Sequence, residues 1–273
     1  MNFFLQFIRH YLLAVQFFTR LPVTGPLAAW VGFSPAMLRA SAAHFPGVGV
    51  LVGALAAGTY AALMLALPAS VYAPLLAAVC CTAATVLFTG GFHEDGLADL
   101  SDGLGGSSDR LRALEIMKDS RIGAFGAMAL VLALLAKVAL LALLGAHSLA
   151  LVLAVLLAGH VLSRFMPLLL VYSLPHVGDL AGGGSKSKPL ADQLSGWALA
   201  IAALWSLLPL AFLVYAQGPL LALAASVACW LALLVMARLL VARLQGFTGD
   251  ALGATQQVCE LAFYLGAALA LRP

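Results

Sequence analysis

Charge is what this 273-residue chain has least of: 14 Lys+Arg and 11 Asp+Glu make 9% of its residues, against 63% hydrophobic. A soluble domain carries about 25% charged residues, so the means to dress a water-facing surface are missing. The mean hydropathy of +1.05 agrees. Soluble enzyme, disordered chain and secreted disulfide scaffold are excluded together. No Lys/Arg run is long enough to grip nucleic acid, and the net charge is only +3. There is no CxxC pair. The four cysteines (Cys80, Cys81, Cys229, Cys259) lie in apolar stretches with no His at ligand spacing, and read as small buried residues. The first 23 residues contain neither a charged n-region nor a small-residue cleavage site, so no removable signal is expected.

What is abundant is apolar sequence. Hydrophobic runs fall at about 47–67, 72–91, 124–145, 149–174, 195–216, 219–241 and 250–271. Each approaches the ~20 residues that cross the hydrocarbon core as a helix. The expected fold is all-α: a polytopic integral membrane bundle of about seven transmembrane helices. Segment 3–21 is interrupted by Gln6, Arg9, His10 and Gln16, and is expected to form an additional interfacial or re-entrant helix. The whole chain, 1–273, reads as one membrane domain, with 1–46 an N-terminal cytoplasmic or interfacial segment.

The breaks at 68–71, 145–148 and 217–219 carry no Lys or Arg, whereas the connections 92–123, 175–194 and 242–249 carry seven. The positive-inside rule assigns these longer connections to the cytoplasm.

Acidic residues are scarce but clustered. Glu94, Asp95, Asp99, Asp102, Asp109, Glu115 and Asp119 are seven of the eleven, all within connection 92–123, which reads as an acidic catalytic loop. In its core, FHEDGLADLSDGLGG, helical geometry would put Asp95, Asp99 and Asp102 on one face. Carboxylates stacked this way repel unless a cation intervenes. They suit a hard ion, Mg²⁺ or Mn²⁺, that keeps water or phosphate ligands. His93 could be ligand, base or bystander, and bystander is the preferred reading.

Downstream, KDSRIGAFG supplies Lys118, Asp119 and Arg121, whose cations can neutralise phosphate oxygens. At the start of the last run, Asp250 is either a further metal ligand or a helix N-cap. Gln257 and Glu260 follow on nearby faces, and a Glu within a span is expected to face the protein interior. Arg164 and His160 are inward-facing on the same grounds, with Arg164 either structural or reaching a phosphate. The segment AGGGSKSKP, 181–189, lacks the ending of a phosphate loop and reads as a flexible basic linker.

These segments resemble a known family. FHEDGLADLSDGLGG followed by KDSRIGAFG is similar to cobalamin synthase, with QFFTRLPV, HFPGVGVLVG and TGDALGATQQVCE also similar and in order. The resemblance implies a Mg²⁺-dependent, multi-pass enzyme of the bacterial inner membrane with its active site facing the cytoplasm. It implies adenosylcobinamide-GDP and α-ribazole, or its 5′-phosphate, as substrates and GMP as the leaving group. Glu94, Asp95, Asp99 and Asp102 would then be catalytic and, with Asp250, metal-binding. Lys118, Asp119, Arg121 and Arg164 would bind substrate phosphate. Membrane lipid is the other expected partner, nucleic acid is not, and a homo-oligomer is compatible with this reading.

Two alternatives stand beside it. EDGLAD loosely resembles the start of the CDP-alcohol phosphotransferase signature, although Asp99 stands where that signature has Arg. An ion-coupled transporter would also use buried charge, but it would gather charge near the bilayer midplane rather than at one surface.

Overall fold

The computed structural model describes residues 3–180 and 194–271. Among them twelve α-helices form and no strand, only an isolated parallel bridge between His176 and Phe247. Three short or amphipathic helices come first: α1 (Phe3–Phe18), α2 (Gly25–Val31) and α3 (Pro35–Ser41). The long helices α4 (Phe45–Ala66), α5 (Ala73–Thr89), α8 (Ala124–His147), α9 (Leu149–Ser173), α10 (Gly196–Gln217), α11 (Pro219–Leu244) and α12 (Gly249–Leu269) coincide with the seven apolar runs. Between α5 and α8 lie α6 (Phe92–Gly106) and α7 (Arg110–Ile116). The basic segment 181–189 and Arg272 lie outside the described residues.

Length and apolarity qualify five stretches as spans: 35–66, which joins α3 to α4, and α8, α9, α10 and α11. A sixth exists if α5 and α6, bent by 89°, count as one. The expected seven are not reached on this measure. At 17 residues α5 is short, and α12 carries Asp250, Gln256, Gln257 and Glu260. The 16-residue α1 is too short to cross and instead packs along α3 and α4, with Arg9 Nε donating to Val31 O at 2.9 Å.

The bundle is organised around α9, which is buried along most of its length and packs on α4, α10 and α12. By contrast α8 and α10 turn Leu132, Leu135, Leu204 and Leu208 outward. Apolar side chains of this size facing out are expected where the surroundings are lipid.

Connection 92–123 is not a loop. It folds as two helices packed against the bundle. Gly90 and Gly91, at φ +73° and +71°, turn the chain from α5 into α6, a pair of left-handed positions that residues with a Cβ seldom adopt. At the far end of α6, Arg243 Nη2 donates to the carbonyls of Leu104 (2.9 Å) and Ser107 (2.7 Å), satisfying groups a helix C-terminus leaves open.

Candidate functional site

The acidic helix is held by close backbone packing. A Cβ on Gly96 would lie 2.7 Å from Asp250 O, and one on Gly253 would lie 3.3 Å from His93 Cα. Two glycines therefore set the crossing of α6 with the first turns of α12. The crossing brings Asp95 and Asp99 beside Asp250, residues more than 150 positions apart in the chain. Asp95 is exposed, while Asp99 and Asp250 are half-buried. Burial, then the charges of Asp250, Asp95 and Asp102, push the Asp99 carboxyl up to about 7. Such a cluster favours a positive partner. Lys118 lies close enough to act on Asp250 electrostatically.

Asp250 is not the N-cap of α12. Thr248 is, its hydroxyl accepting from Ala251 N at 3.1 Å. The capping alternative for Asp250 falls, and its carboxylate sits in the first helical turn.

Asp102 is placed differently from its helix neighbours. It is buried, and its two oxygens accept from Gly123 N (2.7 Å) and Gly126 N (2.8 Å), the opening amides of α8. A Cβ at Gly123 or Gly126 would strike this carboxylate. Asp102 thus caps a helix from a distant part of the chain, where an anion is favoured by the unsatisfied amides and the helix dipole.

Beside it opens a cavity of about 540 Å³ lined by Asp102, Arg112, Glu115, Asp119, Arg121 and Phe125. Arg121 grips Asp119 through Nη2 (2.5 Å) and Nε (3.0 Å), which holds the Asp119 carboxyl down at about 2. Arg112 pairs with Glu115 at 2.9 Å. Both pairs are exposed, so their contacts are screened by solvent.

Glu94 faces inward. Its Oε1 accepts from Gln257 Nε2 at 3.0 Å, and its Oε2 is buried with no hydrogen-bond partner among the described residues. Arg164 is only 2% exposed, its Nη1 donating to His160 O at 2.9 Å and its guanidinium lying 5.8 Å from the Phe45 ring centre. It does not reach the open cavity, and it interacts electrostatically with Glu94 from within the bundle. His93 is buried and stacks on Phe45 at 5.6 Å, a packing role in keeping with the bystander reading. Among the described residues no three His, Cys, Asp or Glu stand ready as a metal cage.

Sequence reasoning turned Glu260, His160 and Arg164 inward, as the structure has them, but missed the partner of Glu260. Lys137, in the middle of α8, pairs with Glu260 at 2.6 Å, both at least 97% buried. Tyr264 OH donates to Glu260 Oε1 (3.1 Å), and Gln256 Nε2 donates to Oε2 (2.6 Å). The available signal was a Lys inside an otherwise apolar run, where a charge is expensive and needs a partner.

The family described as cobalamin-5-phosphate synthase matches residues 10–268. The chain belongs to this family. A relative from Polaromonas naphthalenivorans, named adenosylcobinamide-GDP ribazoletransferase, is 62% identical over 98% of this chain and all of its own length. Relatives of the same name from Albidiferax ferrireducens and Shewanella amazonensis are 62% and 42% identical, each covering 97% of this chain, and 99% and 96% of their own lengths. No solved structure matches. In this member of the cobalamin-5-phosphate synthase family, the sequence-predicted residues separate into three places. Asp95, Asp99 and Asp250 act on one another at the α6–α12 crossing, with Lys118 acting on Asp250. Asp102, Asp119 and Arg121 line the neighbouring cavity. Glu94 and Arg164 belong to the interior face of the same crossing.

Proposed function

We propose that the chain is an adenosylcobinamide-GDP ribazoletransferase, moving the adenosylcobinamide phosphate moiety from adenosylcobinamide-GDP to α-ribazole or its 5′-phosphate and releasing GMP. The observation that carries this reading is the α6–α12 crossing at Gly96 and Gly253. It sets three carboxylates beside a lysine at the mouth of the bundle, in a chain whose relatives bear that name.

In the reaction, a ribose hydroxyl oxygen bonds to the phosphorus carried by the cobinamide. The bond from that phosphorus to the GMP oxygen breaks, and the hydroxyl proton leaves to a base. Asp95, exposed at the mouth, is suited to orient that hydroxyl or accept its proton. Lys118 and Arg121 offset charge on the phosphate oxygens, Arg121 by exchanging Asp119 for phosphate.

The residues fit a Mg²⁺ or Mn²⁺ ion. Mg²⁺ is usually held by one or two carboxylates together with waters and substrate phosphates, not by a full protein cage. Several carboxylates acting on one another answer that description. Asp95, Asp99 and Asp250 would hold the ion, with Glu94 alongside. When bound, it neutralises charge developing on the pyrophosphate.

The Lys/Arg-bearing connections support a mouth facing the cytoplasm of a bacterial inner membrane. Single cysteines at Ser107 and Gln245 should label from one side and at Ala146 from the other.

The function is tested with purified protein, Mg²⁺, adenosylcobinamide-GDP and α-ribazole. GMP and the cobalamin product should appear in equal amounts, and chelation should stop both. Absence of GMP, or release of CMP from a CDP-alcohol under the same conditions, overturns the reading.

A further inference from the structure

One side chain joins the buried cluster to the mouth. Gln257 Nε2 donates to Glu94 Oε1 at 3.0 Å and to Gln256 Oε1 at 3.0 Å. Gln256 Nε2 in turn donates to Glu260 Oε2 at 2.6 Å and to Ser163 Oγ at 3.0 Å. Glu260 is anchored by Lys137 at 2.6 Å. The line Lys137–Glu260–Gln256–Gln257–Glu94 therefore crosses α8, α12 and α6, and its interior members are almost wholly buried.

The charges along this line fit together. Lys137 and Arg164 are buried cations and Glu260 is one buried anion, leaving an excess of one positive charge. Glu94, which acts electrostatically on Arg164, supplies the second negative charge. An unbalanced charge in a low-dielectric interior is costly, so the cluster favours the Glu94 side chain turned toward it. Turned inward without restraint, the carboxylate could still rotate among several orientations. A primary amide removes that freedom, because it has two hydrogens: one holds it to Gln256 and the other directs Glu94 Oε1. Neither Leu nor Glu at position 257 can do both.

We propose that Gln257 is a positioning residue for the transfer reaction, fixing the Glu94 carboxylate at the N-terminal end of the acidic helix by tying it to the buried Lys137–Glu260 pair. The inference rests on the transferase reading above.

The test uses the full chain in detergent or nanodiscs, with Gln257→Leu and the exchange variant Glu94→Gln/Gln257→Glu. Three quantities are measured: kcat with KM for each substrate, the unfolding midpoint, and Mn²⁺ affinity by electron paramagnetic resonance with inorganic pyrophosphate present. In Gln257→Leu, kcat and Mn²⁺ affinity should each fall roughly 10–100-fold, the scale for losing a residue that orients a ligand. KM for α-ribazole and the unfolding midpoint should stay near wild type. The exchange variant keeps an amide–carboxylate hydrogen bond but moves the charge off α6, so it should fold and remain inactive. Recovery of turnover in the exchange variant overturns the proposal, because the bond would then only hold α6 to α12. Unchanged kcat and Mn²⁺ affinity in Gln257→Leu overturn it equally. If wild-type protein makes no product, the transferase reading fails by itself and the Mn²⁺ titration still decides the role of Gln257. Absence of Mn²⁺ binding to wild type also overturns the proposal.

Discussion

Asp250 and Glu260 stand ten residues apart on α12, about 15 Å along its axis, in opposite electrostatic surroundings. Around Asp250 are other carboxylates, with Lys118 the cation acting on it. Around Glu260 are Lys137, His160, Tyr264 and Gln256, which together occupy both its oxygens. The first environment leaves charge for something else to neutralise. The second is complete within the protein. A membrane enzyme can thus carry both arrangements on one helix: a self-compensated cluster in the interior, and an uncompensated one at the helix's opening turn.

The largest effect is expected from breaking the complete cluster. Glu260→Gln leaves Lys137 without its buried counter-charge, and loss of one partner of a buried pair costs about 3–5 kcal/mol. Reversible unfolding in detergent should show a loss of that size, and Lys137→Met/Glu260→Gln should recover most of it. A single variant as stable as wild type would mean that the interior is not charge-balanced in this way.

At the rim the effect should fall on turnover instead. Asp99→Asn and Asp250→Asn are each expected to lower the rate ~10²–10³-fold, about 2.7–4 kcal/mol in transition-state stabilisation. Stability should hold or rise slightly, because like charges are being separated. A variant that loses stability in step with activity would erase the distinction between the two ends of α12.

Asp102 tests the boundary between them. Asp102→Ala removes the cap from α8 and is expected to cost about 1–2 kcal/mol in unfolding free energy. Asp102→Asn, which can still accept from one amide, should cost less. The smallest change is expected on the exposed rim: Asp119→Ala should leave the unfolding midpoint unmoved, since the Arg121–Asp119 pair is open to solvent. Arg121→Lys should raise KM for adenosylcobinamide-GDP more than for α-ribazole, because it retains charge but loses the two-pronged grip.

Much of the site was legible from spacing. Asp95 and Asp99 do lie on one helix, one turn apart, and Asp99 feels the charges of Asp95, Asp102 and Asp250. The helical state of 92–106 was less legible. Its many glycines argue for a loop on local propensity, yet Gly96 and Gly103 are the points where α12, α7 and neighbouring side chains come too close for a Cβ. Tertiary packing overrode propensity. Asp102 misled for a related reason: its position on the acidic face is periodic, but what it meets is the start of α8, brought there by the chain's return. Thr248 as the cap of α12 could have been found, since Thr is a favoured N-cap and stands two residues before Asp250.

Apolar runs of membrane-spanning length, scarcity of charge, and the concentration of acids in one connection needed only the order of residues. Those properties are local: a helix satisfies its own backbone in lipid, and the cost of burying charge is set residue by residue. Which carboxylate would be open to a ligand, which would cap a helix and which would be locked to a lysine was decided by tertiary structure alone. Lys137 and Glu260 are separated by 123 positions, and Asp102 and Asp250 by 148. Their roles depend on which helices become neighbours and how closely two glycines let them cross. A carboxylate's charge is intrinsic, but the partners that compensate it come from the folded surroundings.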